Sequence, residues 1–588
     1  MFCRGYGAGL HQTHNTMKNN GFTGRWSTVV NLQLCLFYCK VLVRKITPVP
    51  KERQKIENNP YLKLNKERFY LKYIHFFKLI FSDFNNSFFI DRFCDICYTL
   101  FVKYGILHIF VRFFNIVFVG IINNTHPQGG MKMILKTSLY GKTYEFKDVK
   151  EVLAKANEPK SGDVFQGIAA ETALERVAAK VVLSHLTVGD LTENPAIPYE
   201  SDFSTRVILD GLNTYYYNKF KNWTLGDLRE YLIDWETAGN DIRIIASGFS
   251  SEVIAGLAKL MSNMDLACTS KKLIVTTRAN TEVGRPEILP FRSQPNHPTD
   301  DIDGIMISVL EGIAYGCGDA MIGVNPVEDN VDNTSRIAFA LYDFMEKWEC
   351  PTQSSVLSHI TTQMKAVEEG APLSLFFQSI AGSEPALKAF GVTTEMLDEA
   401  NDQIHHMGIA YGPNLMYFET GQGSEMSIDA DCGVDEMTLE ARTYGFGRRY
   451  APFCVNNVSG FIGPETIYDG REALRAHLED QFMGKMSGLP MGSGCAYTNH
   501  MHCDQNDLEI IDMLMCFVGT NYVAGLPLGD DVMLSYQDNS YHDNATMRLL
   551  TGRKPVVEFH QWMMKLGLMR EDGSLTRAAG DASFFLRS

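Results

Sequence analysis

Beyond Pro286 the chain repeats one pattern: a short apolar run, a polar ending, then a stretch with helical spacing. The runs are "ILPFRSQPN" (288–296), "AMIGVNP" (320–326), "SSVLSHI" (354–360), "LSLFFQS" (373–379), "NLMYFET" (414–420), "FCVNNV" (453–458), "LPMGSGCAY" (489–497) and "YVAGLPLGDD" (522–531). Continuous apolar runs of this length are the mark of strands buried on both faces, and helices between them make the sheet parallel with right-handed crossovers. Eight strand–helix units in about 250 residues are what a (β/α)8 TIM barrel needs, and such a barrel works at the C-terminal ends of its strands. An open doubly wound sheet is the alternative. It would carry a glycine-rich turn after its first strand, and none is present. Between the runs, Ile337, Leu341, Met345 and Trp348 form one apolar helix face behind the cap candidates Asn333 and Thr334, and Leu474, Leu478 and Phe482 form another.

Three further segments complete the expected organisation. Residues 131–286 read as a helical N-terminal domain, in which "LERVAAKVV" puts Leu174, Val177 and Val181 on one face. Residues 287–552 form the barrel and 553–588 a C-terminal helical tail. Residues 1–130 differ from the rest. They hold 17 Lys and Arg against 6 Asp and Glu, a net of +11 within a chain of net −15, which leaves −26 for the remainder. They also hold 16 of the 36 Phe. The stretch 100–122 has the length of a membrane span, but Lys103, His108, Arg112 and Asn115 lie inside it, and each central charge costs about 2.5–3.5 kcal/mol on insertion. The segment is expected to be a non-native extension from a mis-assigned start, with the protein proper beginning at Met131 or Met133.

The acidic balance excludes a nucleic-acid binder, which needs a basic face. Of 13 cysteines, five lie in residues 1–130, including the C-x-x-C of Cys94 and Cys97, which lacks a second pair at zinc spacing. The other eight are scattered, as reduced thiols of a cytoplasmic protein are.

In a barrel the strand ends form one ring: Arg292 and Gln294, Asn325, His359, Gln378 and Ser379, Glu419, Asn456 and Asn457, then residues 497–500. A fixed cation, a carboxylate and several amides suit a small polar substrate carrying a positive charge. Glu419 would pair with that charge while Arg292 binds an oxygen. The absence of a strand-end lysine argues against Schiff-base chemistry, and a single strand-end carboxylate against paired-acid glycoside hydrolysis. The plain alternative for Arg292 and Glu419 is a buried structural ion pair. His359 reads as a hydrogen-bonded core histidine. "NHMHCDQND", with His500, His502, Cys503 and Asp504, matches no standard metal spacing and reads as solvated or capping, so no metal site is expected. "GQGS" lacks the full pattern of a phosphate loop.

These strand ends also carry a resemblance. From Met131 onward the chain resembles the large subunit of ethanolamine ammonia-lyase, an adenosylcobalamin-dependent enzyme. The matching pieces, in order, include "FKDVKEVLAKANE", "FRSQPN", "IGVNPV", "FQSIAGSE", "YFETGQGS", "GFIGPE", "LEDQFMGK", "YTNH", "LPLGDD" and "HDNATMRLL". The resemblance implies radical deamination of ethanolamine to acetaldehyde and ammonia at a barrel mouth beneath the cobalamin, with a separate small (light) subunit contributing to the corrin site. Carried onto this sequence, Arg292, Gln294, Asn325 and Glu419 would bind substrate, with Glu419 and Arg292 acting in catalysis. Pro326, Gln378, Ser427 and Met533 would touch cobalamin, and Ser379 would lie near its adenosyl group. The chain lacks the Asp-x-His-x-x-Gly motif of base-off binders. The resemblance also implies a hetero-oligomer of large and small subunits in the cytoplasm, inside a bacterial microcompartment, with neither nucleic acid nor membrane as partner.

One position departs from the family pattern. Where the seventh strand end of relatives reads Met-Gly-Cys-Asp, this chain has "MGSG", with Gly494 in place of the acid. The loss is expected to leave Glu419 as the main anionic partner of the ammonium, with Asp504 too far along the loop to substitute. Weaker ethanolamine binding, a slightly larger 1,2-amino alcohol as substrate, or a non-catalytic microcompartment-associated homologue would follow. An acid restored by Gly494→Asp is expected to tighten binding.

Overall fold

The computed structural model describes residues 133–586. The reading of residues 1–130, with the 100–122 stretch and the Cys94–Cys97 pair, lies outside the described residues. Eight parallel strands form the centre: β1 (Phe291–Ser293), β2 (Met321–Val324), β3 (Ser354–Val356), β4 (Phe376–Ser379), β5 (Met416–Thr420), β6 (Cys454–Asn457), β7 (Met491–Ser493) and β8 (Tyr522–Gly525). Each falls inside one of the eight apolar runs. Neighbours pair in the order β3-β2-β1-β8-β7-β6-β5-β4, so the first strand lies against the last. A backbone hydrogen bond from Leu375 N to Ser354 O (3.2 Å) joins the two remaining edges, next to β4 and β3. The fold is a (β/α)8 barrel preceded by a helical region, as the alternation of runs required.

Small residues let the barrel close over large ones. A Cβ on Gly492 of β7 would meet the Tyr522 ring of β8, and one on Gly323 of β2 would stand 2.9 Å from Arg292 Nε. The missing side chain at 323 is what makes room for the Arg292 side chain.

The helical region opens with a hairpin (Lys136–Leu139 with Lys142–Glu145) and includes helices Val149–Ala156, Ala173–His185 and Ser251–Leu260. Buried ion pairs tie it to the barrel helices Glu436–Gly447 and Gly470–Met486. Arg442 bonds Asp202 (2.8 Å) and Glu252 (2.7 Å), Lys160 bonds Glu479 (2.7 Å), and Asp435, which caps the first of those helices, takes Lys259 (2.5 Å). Fully desolvated charges persist only when paired in this way. At the other end of the chain, Trp562 Nε1 donates to Trp348 O (2.8 Å) and Phe585 is buried against both tryptophans.

Two local expectations are corrected. Helix Ala173–His185 buries Ala178, Ala179, Val182 and Leu183, and leaves Leu174 and Val177 nearly half exposed. The alanines face inward because close helix packing selects small residues, which a search for large apolar spacing overlooks. Helix Val331–Trp348 begins earlier than expected: the Asn330 side chain accepts from Asn333 N (2.9 Å), so Asn330 is the cap and Asn333 and Thr334 lie in the first turn. Ile337, Leu341 and Met345 are buried as expected. Among the described residues no helix is long and apolar enough to cross a membrane, and all eight cysteines are free thiols.

Candidate active site

Register places the functional side chains at one level. Glu419 on β5 is paired with Asn456 on β6 and with Ser379 on β4, and Arg292 on β1 lies beside Ala524 of β8 and Met321 of β2. Glu419, Asn456 and Ser379 lie in the C-terminal halves of their strands, toward the end of the barrel where its loops converge.

Arg292 reaches across the barrel and donates from Nη1 to Glu419 Oε1 at 2.7 Å. The same oxygen accepts from Asn456 Nδ2 (3.1 Å) and from the Tyr417 hydroxyl. Tyr417 stands two residues before Glu419, hence on the same face of β5, and its ring lies 5.4 Å from the Arg292 guanidinium. Three donors converge on Oε1, and Oε2 takes none of them. Arg292 is 1% exposed and Glu419 15%. Burial works against the charge on Arg292, but the acidic groups around it, Tyr417 and Glu419 first, outweigh burial and hold its pKa above the ordinary guanidinium value. Burial raises the Tyr417 hydroxyl far above its usual range, so it stays a donor.

The ion pair expected as the plain alternative is therefore formed, yet it does not use up its members. Arg292 Nε and Nη2 and Asn456 Oδ1 are buried without a hydrogen-bond partner. Unsatisfied buried polar atoms each cost about 1–3 kcal/mol, and three around one ion pair describe a pocket prepared for a polar ligand.

A second group adjoins the first. Gln294 donates from Nε2 to Asp531 Oδ2 (2.8 Å) and to the Tyr536 hydroxyl oxygen, and Asn296 Nδ2 donates to the same Asp531 oxygen (2.7 Å). Asn296 Oδ1 in turn accepts from Asn325 N (2.8 Å) and Nδ2 (3.3 Å). The other Asp531 oxygen takes the backbone N–H of Met533 (2.9 Å) and Leu534 (2.6 Å). Asp531 thus joins Gln294 and Met533 directly, and Asn325 by way of Asn296. It belongs to a small antiparallel sheet (Tyr497–Thr498, Asp530–Asp531, Tyr536–Gln537) formed by the segments that follow β7 and β8.

The other expected residues lie on the same end of the barrel. Pro326 follows β2 and is buried. Gln378 is the penultimate residue of β4, with Oε1 accepting from Ile360 N (3.0 Å) and Nε2 donating to Ser379 O (3.1 Å). Ser427 is exposed in the turn Met426–Ile428 after β5, its hydroxyl donating to Ser424 O (2.8 Å). Gly494 follows β7 and is buried, held by its N–H to Asn457 O (2.9 Å), with His477 Nε2 3.2 Å from its carbonyl.

His359 bonds Thr361 Oγ1 (2.8 Å) and the Phe390 carbonyl (3.1 Å) and caps a helix, a structural role. Asp504 caps helix Gln505–Val518 with a reciprocal capping box. Within "GQGS", the buried Gln422 side chain bonds Asp480 (2.9 Å) and Glu479 (3.1 Å) below the turn. Tyr417, Asn296, Asp531 and Tyr536 were not singled out from the sequence. The period-2 spacing of Tyr417 from Glu419 could have flagged it, as could the terminal acid of "LPLGDD" for Asp531.

A parallel (β/α)8 barrel with a buried cation, a partly open carboxylate and spare amide valences at its C-terminal mouth has the architecture of a barrel enzyme. The chain belongs to the ethanolamine ammonia-lyase large-subunit family. Residues 144–578 match the family described as "Ethanolamine ammonia lyase large subunit (EutB)". The ethanolamine ammonia-lyase large subunits of Escherichia coli K12 and of Salmonella typhimurium LT2 are each 51% identical over 453 residues, covering 77% of this chain and 100% of theirs.

Proposed function

We propose that the chain is the catalytic large subunit of an adenosylcobalamin-dependent ammonia-lyase that converts ethanolamine to acetaldehyde and ammonia. It works as a hetero-oligomer with a small subunit, in the cytoplasm within a microcompartment. The observation that carries this reading is the Arg292–Glu419 pair with its unused valences. Glu419 offers the oxygen not occupied by the three donors to the substrate ammonium. Asn456 Oδ1, which has no hydrogen-bond partner among the described protein groups, accepts a second ammonium hydrogen. Arg292 Nε and Nη2 donate to the hydroxyl oxygen and stabilise charge as it builds there. Gln294 and Asn325, tied together through Asn296 and Asp531, fix the far side of the pocket. Glu419 keeps hold of the amine as it leaves the carbon.

The rim suits a large macrocycle. Val327, Ile428, Leu528 and Val532, on segments after β2, β5 and β8, are exposed apolar side chains at the mouth. They stand beside the polar groups of Gln378, Ser379 and Ser427 and near Met533, whose backbone Asp531 pins. That mixture matches a ring with apolar faces and an amide-bearing edge. Bound there, adenosylcobalamin would supply the radical that takes a hydrogen atom from the carbinol carbon. The chain's own residues bind the substrate, orient it and keep water out.

Ethanolamine itself is favoured over a larger amino alcohol. A Cβ on Gly494 would stand 3.2 Å from Asp538 Oδ2, so the space freed by the glycine is already occupied. The test is to co-express the full chain with the small subunit, add adenosylcobalamin and ethanolamine, and follow acetaldehyde together with the paramagnetic resonance of the cob(II)alamin–radical pair. Neither signal from any 1,2-amino alcohol would refute the reading.

A further inference from the structure

The carboxylate beside Gly494 comes from a part of the chain remote from β7. Asp538 follows the last strand of the small sheet, its N–H donating to Gly529 O (3.0 Å) and its Oδ1 accepting from Asn539 N (2.8 Å). It is 2% exposed. Its Oδ2 is the nearest heavy atom to the point a Gly494 Cβ would occupy, at 3.2 Å, and Asn456 Nδ2 lies 3.7 Å from the same point. Asn456 Nδ2 is also the group that bonds Glu419 Oε1. The amide that bonds Glu419 and the Asp538 carboxylate thus both border the space beside Gly494.

We propose that Asp538 is a second carboxylate of the substrate pocket, carried by the hairpin after β8 into the space above Gly494, where it shares the substrate ammonium with Glu419. This rests on the ethanolamine reading above and specifies its recognition site. A structural account of Asp538 is incomplete. A buried carboxylate costs several kcal/mol unless a cation or several donors meet it. The nearby Arg292 forms its ion pair with Glu419 instead. Burial, aided by Asp512 and Asp531, pushes the Asp538 carboxyl up to about 7, with Arg292 and the Asn539 N–H pulling the other way. An ammonium arriving beside it would supply the missing counter-charge and favour the ionised form.

The same geometry reverses the expectation for Gly494→Asp. A new carboxylate there would be built against an existing one, where like charges oppose each other and both oppose ionisation. The glycine and Asp538 are therefore complementary, and the acid can stand at either position but not at both.

The test measures KM and kcat for ethanolamine in the full complex, and the rise in thermal midpoint that ethanolamine gives without turnover. Asp538→Asn should raise KM about tenfold or more, with a smaller change in kcat, because one charge-assisted bond is lost. Gly494→Asp alone should also raise KM. Gly494→Asp with Asp538→Ala should return KM to within about threefold of the parent, within the scatter of such substitutions. A purely structural Asp538 would not be rescued by an acid on another strand. Unchanged KM in Asp538→Asn, tighter binding in Gly494→Asp alone, or no rescue in the double variant would each overturn the proposal. If Asp538→Asn does not fold, Gly494→Asp and the double variant still decide. If the parent makes no acetaldehyde, the reaction reading falls. The ethanolamine-dependent midpoint shift, compared between the parent and Asp538→Asn, then tests the ammonium pocket by itself.

Discussion

Replacing Glu419 by Gln separates the two roles that its carboxylate combines. Its Oε1 collects donors from Arg292, Asn456 and Tyr417. A glutamine oxygen can keep those three bonds, but as a neutral acceptor. Bonds to a charged group contribute about 1.5–3 kcal/mol and neutral ones about 0.5–1.5, so the Asn456 and Tyr417 bonds lose about 1 kcal/mol each, and with the buried Arg292 losing its counter-charge the total is about 3 kcal/mol or more. That agrees with the ~3–5 kcal/mol expected when one partner of a buried ion pair is removed, and Arg292 at 1% exposure has little water to fall back on. The folded protein should therefore lose measurable thermal stability. Substrate binding suffers separately. Losing the carboxylate beside the ammonium removes one charge-assisted bond, which corresponds to about a 10- to 150-fold fall in kcat/KM. Because Asp538 remains, activity should fall within that range and not vanish. The assays are a thermal melt of the large–small subunit complex and steady-state acetaldehyde formation, both at neutral pH. A variant that loses stability but keeps kcat/KM within about threefold of the parent would show that Glu419 serves Arg292 alone, and the argument for an ammonium site would fail.

Three other perturbations follow from the same geometry. Gly323→Ala places a Cβ 2.9 Å from Arg292 Nε. Displacing that guanidinium by less than an ångström should cost about tenfold or more in kcat/KM, with a smaller loss of thermal stability. Arg442→Met strands Asp202 and Glu252, both buried. It should destabilise by about 3–5 kcal/mol, and adding Asp202→Asn and Glu252→Gln should recover much of the lost melting temperature. Asp512→Asn tests a buried acid outside the pocket, which burial raises to about 7 from 3.8. In the parent, ionisation of the unfolded chain between those values erodes stability as pH rises. The variant should therefore match the parent near pH 4, gain on it up to about pH 7 and hold a constant lead above that. The lead should be on the order of 4 kcal/mol at most, and a pH series of melts that shows none would refute the assignment.

The barrel was legible because parallel strands buried on both faces must be continuous apolar runs, and each of the eight barrel strands lies within a run identified by that criterion. Arg292, Gln294, Asn325 and Glu419 were legible as candidates for a related reason: a polar side chain in the closing residues of such a run falls at or next to the strand end. Features that depend on contact between distant segments were not. Ala178 and Ala179 face the core because a neighbouring helix comes close, which no periodicity of large side chains records. Asp531 ends the eighth run, and Asp538 lies seven residues beyond it in a stretch that reads as loop. Their roles appear only when the hairpin after β8 folds back over β1, β6 and β7. The glycine at 494 shows the difference most clearly. Along the sequence it registers as a lost acid, because an aligned position can report only its own side chain. In the folded barrel the same point in space has a carboxylate 3.2 Å away, supplied by a residue 44 positions later. What the pocket conserves on this reading is a charge at a location, and the chain can meet that requirement from either of two strand ends.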